Sequence, residues 1–272
     1  MKKIVRLLSL VCVLVLALCL TGCKEDENVI TIGTMQQPGE PILEFIEEKY
    51  EALGYELEWK LYSSFEFVNP ALTEGSLDAN LFQHEPYMNN YNVSNGQDLK
   101  VAAKLYDCVY GGYTKKNIKS VEEIPAGSKI AVAADASNLS RCLFILDSAG
   151  VIELQDNIEG LATLEHVKND NGYEIITMST ANIAGALDDD DVYLGLVNAT
   201  FAIAAGLTGD QLLCQEQDPE HINANILAVR AEDMEKQWLK DLVAILTSDE
   251  TAAFINEEFK GTIVPYFVSN VK

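Results

Sequence analysis

Val29-Ile30-Thr31-Ile32-Gly33 opens the globular part of the chain as a short buried strand. The chain then turns through Gln36-Gln37-Pro38-Gly39. Beyond the turn, Ile42, Phe45, Ile46, Tyr50 and Leu53 recur at helical offsets, with Pro41 near the start and Gly54 as the stop. Tyr55-Glu56-Leu57-Glu58-Trp59-Lys60-Leu61-Tyr62 alternates without exception, which is the pattern of a half-buried strand. The opening is therefore β-α-β.

The same alternation continues outward from this unit. A helix is expected around Asn69 to Glu74, a short segment near Leu77 to Leu81, and a helix from about Pro86. Val101 to Tyr106 and Cys108 to Thr114 read as strands, and Ser120-Val121-Glu122-Glu123 has capping-box spacing for a short helix. Lys129 to Ala133 is a compact strand, and Leu139 to Ala149 a helix stopped by Gly150. Glu174 to Met178, Val192 to Val197 and Ile226 to Arg230 are further strands. Met234, Trp238, Leu242, Ile245 and Leu246 mark a helix, and Ser248 caps another with Asp249 and Glu250 in its first turn. Strands and helices at this spacing predict an α/β fold with largely parallel sheets.

Composition narrows the function. Of 272 residues 48% are hydrophobic and 22% charged, an ordinary globular balance, and the length suits a bilobed unit. Acidic residues outnumber basic ones by 42 to 19, so the summed field repels phosphate backbones and argues against nucleic acid as a partner. Asp188 to Asp191 lacks the glycine-turned loop of a calcium site and reads as a solvated loop.

The N-terminus reads as an export signal rather than as fold. Lys2, Lys3 and Arg6 precede the 14-residue run Leu7 to Leu20, broken only by Ser9. That run is shorter than the roughly 20 residues of a membrane-spanning helix. It ends in Leu20-Thr21-Gly22-Cys23, which is similar to a bacterial lipobox in which Cys23 is lipidated and becomes the mature N-terminus. Residues 1–22 are then a lipoprotein signal peptide and 23–27 a tether. Removal of residues 1–22 takes away three basic residues and no acidic ones, moving the net charge from −23 to −26, so the membrane is held by lipid and not by charge. Of six cysteines, Cys12 and Cys19 leave with the signal. Cys108, Cys142 and Cys214 are too widely spaced for a disulfide framework or a zinc site, and His84, His166 and His221 lie far apart. No metal or cofactor is expected.

The stretch richest in chemistry is Asp78-Ala79-Asn80-Leu81-Phe82-Gln83-His84-Glu85-Pro86-Tyr87. It resembles the D-A-N-x-F-Q-H-x-P-Y pocket motif of methionine-binding lipoproteins of the NlpA type, solute-binding components of ATP-driven importers. Three further matches follow in order: Tyr113-Thr114-Lys115-Lys116, the Ser137-Asn138-x-x-Arg141 segment, and Val197-Asn198-Ala199-Thr200-Phe201-Ala202. The similarity runs from about Ile30 to Pro265. It implies a two-lobed periplasmic-binding-protein-like fold of type II with two interlobe crossovers, lobe 1 from 28–112 and 228–272 and lobe 2 from 113–227. It also implies ligand contacts at Phe65, Asn69, Phe82, His84, Tyr87, Asn138, Arg141 and Asn198, and delivery to a membrane permease of an ABC importer.

The residues themselves describe a receptor for a small zwitterion with an apolar tail. Arg141, expected in the first helical turn, can meet a carboxylate with its planar fork, alongside free backbone N–H groups. Asn198 stands at the carboxyl end of a strand, where open α/β sheets bind ligands, and an amide can serve both ends of an amino acid. Phe82, His84 and Tyr87 fall within six residues, and aromatic faces suit a thioether.

The chain also departs from the family pattern. Thr34-Met35-Gln36-Gln37-Pro38-Gly39 replaces the usual first turn, Ala133-Ala134-Asp135-Ala136-Ser137 lacks the N-D-P order, Cys108-Val109-Tyr110 replaces an acid and a proline, and Phe65 lacks a tyrosine hydroxyl. One lost hydrogen-bond partner shifts preference by roughly 1 to 3 kcal/mol, so another apolar amino acid or a short methionine-containing peptide stands as an alternative ligand. An exported enzyme using His84 is a further alternative, although the chain has no GxSxG-type nucleophile motif.

Overall fold

The structure is a computed structural model that describes residues 28–271. The signal peptide, Cys23 and the tether read above lie outside the described residues.

Elements follow the chain as β1 (Val29–Met35), α1 (Gly39–Glu51), β2 (Glu56–Tyr62), α2 (Val68–Thr73), β3 (Ala79–His84), α3 (Glu85–Asn95) and β4 (Lys100–Cys108). The middle of the chain carries β5 (Tyr110–Tyr113), β6 (Lys129–Ala133), α4 (Ala136–Ser148), β7 (Glu153–Leu154), β8 (Val167–Asn169) and β9 (Glu174–Met178). It continues with α5 (Thr180–Ala186), β10 (Val192–Asn198), α6 (Ala199–Ala204) and β11 (Leu212–Gln215). The last part comprises β12 (Asn225–Val229), α7 (Gln237–Leu246), α8 (Asp249–Phe259) and β13 (Ile263–Ser269).

Two sheets organise these elements. The first has the order β13-β4-β12-β3-β1-β2 and the second β11-β5-β10-β6-β9, with β7 and β8 forming a separate small pair. The expectation of largely parallel sheets is corrected. Only β2-β1-β3 and β10-β6-β9 pair in parallel, while β12, β13, β4, β5 and β11 join antiparallel ladders. The physical reason lies in the crossings. β4 passes straight into β5 with no helix to turn the chain round, and β12 comes back between β3 and β4 running against both.

Strand membership puts the first crossing at Val109 and the second between Gln215 and Asn225, a few residues before the boundaries expected after 112 and 227. Val109 is bonded to both sides of the joint: its N–H donates to Thr262 O (3.3 Å) and its carbonyl accepts from Ala199 N–H (2.8 Å). At the second crossing, Glu216 N–H donates to Tyr110 O (2.8 Å).

The first sheet is covered on both faces. Ile42, Leu43, Ile46 and Tyr50 of α1 pack with Leu239, Leu242, Val243 and Leu246 of α7 over Ile30, Ile32, Ala79 and Leu81. Leu43 rather than Leu53 completes the α1 stripe, because the helix ends at Glu51 and Leu53 is exposed. On the other face Val68, Leu72, Leu77, Phe82 and Met88 form a second cluster, so every residue of β3 is buried. The second sheet has its own core around Ile130, Val132, Leu143, Leu146, Leu194 and Leu196.

One local expectation changes. Ser120 makes no side-chain cap, and Val121–Glu123 is one 3₁₀ turn. The acidic run is exposed as expected, with surface ion pairs from Lys115 to Asp188 (2.6 Å), Lys116 to Asp190 (3.6 Å) and Lys129 to Asp191 (3.4 Å).

At Gly39 the chain passes so close to β1 that a Cβ would lie 1.8 Å from Thr34 Oγ1, which itself donates to Leu81 O (2.7 Å). Gly39→Ala must displace a fully buried hydroxyl, and a loss of about 1–3 kcal/mol in urea unfolding is expected. An unchanged midpoint would show that Thr34 yields freely.

Candidate functional site

The site begins where β3 runs into α3. His84 is the N-cap of that helix, with its Nδ1 accepting from Tyr87 N–H (3.2 Å). Pro86, whose missing N–H costs nothing in a first turn, fixes the helix start. This turn brings Phe82 and Tyr87 together at 5.8 Å in edge contact, and the 3₁₀ turn Phe65–Phe67 adds Phe65 at 5.5 Å from Phe82 and 6.1 Å from Tyr87. Phe201 of α6 touches the same cluster from the second lobe, 5.0 Å from Phe65.

Facing this aromatic wall are amides. Asn138 lies in the first turn of α4. Asn198 ends β10 and caps α6, its Oδ1 accepting from Thr200 N–H (3.0 Å). Asn225 begins β12. Phe65, Phe82, Gln83, His84, Tyr87, Asn138, Asn198 and Asn225 enclose a small cavity with about 10 Å³ open to the centre of a water molecule, space for about one water. The two lobes touch across it: His84 Nε2 meets Asn138 Oδ1 at 3.1 Å, and nearby Ser179 Oγ donates to Glu66 Oε1 (3.0 Å).

The network fixes which end of each polar group faces inward. Asn138 Nδ2 donates to both oxygens of Asp135 (3.1 and 3.0 Å), so its Oδ1 points to His84. An acceptor there requires His84 to carry its proton on Nε2, and the Tyr87 N–H requires Nδ1 to be bare. His84 is therefore a neutral imidazole. Burial, then the nearby Arg141 charge, press its pKa down to about 3 against the opposing Asn138 hydrogen bond.

Two sequence expectations are corrected here. Asn69 does not line the cavity. Its Nδ2 donates to Gln83 Oε1 (2.8 Å), and its Oδ1 accepts from Gln83 Nε2 (2.8 Å) and Asn80 Nδ2 (2.9 Å), a buried amide triad behind the wall. Arg141 is the sixth residue of α4, not part of its first turn, because Asp135 is the N-cap. Its fork is already occupied. Nε and Nη2 donate to Glu216 Oε1 (2.9 Å) and Oε2 (2.6 Å), and the guanidinium lies 4.7 Å above the Tyr110 ring. Burial alone would lower its pKa, and the Glu216 carboxylate more than reverses that, so Arg141 stays charged. The pair lines a neighbouring groove of about 430 Å³ with Pro86, Phe144 and Ile222.

Glu216, Asn225, Phe201 and Asp135 were not singled out from sequence. A buried arginine demands a carboxylate, but 42 acids offered no way to choose Glu216, 75 positions away. Asn225 did carry a signal, a polar residue heading an otherwise apolar strand.

Comparison with known proteins bears on the family and the fold. The family model described as NlpA lipoprotein matches residues 30–267. The D-methionine-binding lipoprotein MetQ of Escherichia coli (strain K12) is 31% identical over 256 residues, covering 91% of this chain and 93% of that protein. A nutrient binding protein from Burkholderia cenocepacia, solved bound to methionine, superposes with a TM-score of 0.81 at 31% identity, over 88% of this chain and 100% of that one. A putative methionine-binding lipoprotein from Bacillus subtilis subsp. subtilis str. 168 reaches 0.84 at 28% identity, over 90% and 99%. With its two-lobed α/β architecture and a match over nearly all of the described residues, the chain belongs to the NlpA lipoprotein family.

Proposed function

We propose that this protein is a lipid-anchored, extracytoplasmic binding protein that holds methionine between its lobes and delivers it to the permease of an ABC importer. The observation that carries the reading is the cavity between an aromatic wall on one lobe and Asn138 and Asn198 on the other, closed by the His84–Asn138 contact.

Each part of methionine has a matching surface. The thioether packs on Phe65, Phe82 and Tyr87, each contact contributing on the order of 0.3–1.5 kcal/mol. Asn198 Nδ2 is a donor for the α-carboxylate. Arg141 spends two of its N–H groups on Glu216 and supports the carboxylate by its charge. Admission of a ligand needs the walls to part, which breaks the His84–Asn138 and Glu66–Ser179 bonds and is absorbed at the two crossings, Val109 and residues 216–224. The lobes accordingly comprise residues 28–109 with 225–271, and 110–215. Both nitrogens of His84 are committed, one to a helix cap and one to an amide, which supports a binding wall over a catalytic base. The lipobox-like Leu20-Thr21-Gly22-Cys23 and the lipoprotein names of the relatives support the anchor.

Calorimetry with a panel of free amino acids tests the ligand. Heat from methionine is expected, and heat from leucine or a short peptide with none from methionine overturns the reading. Cys23→Ser removes the lipid acceptor and should move the protein from the membrane to the soluble fraction on cell fractionation.

The depressed His84 pKa gives a pH test with a defined sign. Between about pH 3 and the ordinary imidazole range near 6.5 the unfolded chain binds a proton at this position that the folded protein does not. Stability linked to His84 is therefore full above about 6.5 and falls as pH drops toward 3. Methionine affinity should stay flat from pH 6 to 8. In His84→Gln, which keeps a donor and an acceptor, the fall in unfolding free energy between pH 6.5 and 4 should be shallower than in the unsubstituted protein. An imidazole NMR titration of His84 with a midpoint near neutrality would contradict this.

A further inference from the structure

We infer that Asp135 is a positioning residue that makes the cavity selective for ligands carrying a free α-ammonium group. This rests on methionine occupying the cavity between the lobes. Asp135 is not part of the cavity lining. It stands one turn behind, as the N-cap of α4, and takes donors from several directions: Asn138 N–H (3.0 Å), Asn138 Nδ2 on both oxygens, Ser137 Oγ (3.0 Å) and Thr180 Oγ1 (3.3 Å). A helix cap needs only the first of these.

The bonds to Nδ2 do something a cap does not. They lock the Asn138 amide in one of its two orientations, because a flip would turn Oδ1 onto two anionic oxygens and strand the amide hydrogens. The carbonyl end thus always faces His84 and the cavity. It has two lone pairs, of which His84 Nε2–H takes one.

The surrounding groups leave this oxygen as one of the fixed acceptors of the site. Asn198 Oδ1 is likewise held in one orientation by Thr200 N–H and keeps one lone pair. Gln83 is spent on Asn69 and Asn80. His84 Nδ1 is spent on Tyr87 N–H. Among the described residues no side-chain hydrogen bond holds Asn225 in one orientation, whereas Asp135 holds Asn138. No carboxylate of the described residues lines the cavity, so the ammonium of an amino acid meets neutral oxygen, with the Asp135 charge one amide further back.

The test compares methionine with its desamino analogue, which has the same thioether and carboxylate but hydrogen in place of the ammonium. Calorimetry is run on the full mature chain and on Asp135→Asn. Asparagine caps a helix as well as aspartate does, so α4 is retained. Its amide hydrogens, however, draw Asn138 Oδ1 away from the cavity and turn Nδ2 toward the ligand. Methionine should then bind at least about tenfold more weakly while the analogue changes by less than about twofold, collapsing the preference between them. Asp135→Ser, which keeps a capping oxygen but cannot grip the amide with two, should move the ratio the same way.

A structural role for Asp135 predicts equal weakening of both ligands, and that result overturns the inference. A methionine isotherm in the unsubstituted protein with a ratio unmoved by either substitution overturns it while leaving the reading of the site intact. Absence of methionine heat in the unsubstituted protein sinks both.

Discussion

Polar groups buried between two lobes must be partnered, and around this cavity nearly all of them are satisfied by their own lobe. Asp135 holds Asn138, the α6 N-terminus holds Asn198, the α3 N-terminus holds His84, and Asn69 with Asn80 holds Gln83. The rest of the site depends on this constraint. Because each group is tied down on one side, the opposite side has a fixed character, donor or acceptor, before the lobes meet. The interlobe bond between His84 and Asn138 then joins a donor to an acceptor that were set independently. Little reorganisation is left for closure, and preorganisation of this kind raises affinity by lowering the cost of ordering.

The Arg141–Glu216 pair extends the same logic to the joint. A guanidinium only 6% exposed is tolerable because a carboxylate meets it in the two-pronged geometry that planar groups allow. Glu216 belongs to the second crossing, so the pair ties α4 to the segment through which the chain returns. Glu216 N–H also bonds Tyr110, the first residue beyond the first crossing. Both crossings are thus connected to α4, the helix whose first turn carries Asn138. The joint and the helix that carries a cavity amide are bonded to each other.

Much of this was legible in the sequence, for reasons that differ by element. Lys129–Ala133 and Glu174–Met178 match their predicted bounds because a compact β-branched run has one reading. Ser248 caps α8 as expected, its Oγ accepting from Thr251 N–H (3.2 Å). Strand direction was not legible. Periodicity reports burial, and an antiparallel return such as β12 buries its residues as fully as a parallel strand does. The site divides along the same line. Phe82, His84 and Tyr87 are local in the chain, so their cluster could be read from spacing. Asn225 and Glu216 reach the site through tertiary contacts across the second crossing, and spacing carries no trace of that. The pairing of Arg141 with Glu216 was not legible, because a residue type suited to a carboxylate cannot reveal whether that carboxylate belongs to a ligand or to the chain.

The two ends of the cavity contribute unequally to recognition. An apolar wall discriminates weakly: a methylene more or less in a hydrophobic pocket changes affinity by only about 1–3 kcal/mol. On the proposed reading Phe65, Phe82 and Tyr87 separate methionine from leucine by a modest margin, with the Tyr87 hydroxyl as the one polar group on that wall. A site whose polar groups expect partners rejects a ligand lacking them far more strongly, because the groups are left buried and unpaired. Here those groups are Asn138 and Asn198, each fixed by a neighbour that is not itself at the cavity, and His84, fixed by the backbone N–H of Tyr87. On the proposed reading, recognition of an amino acid as a class thus resides in the amides and the residues behind them, and the choice among apolar side chains falls to the aromatic wall.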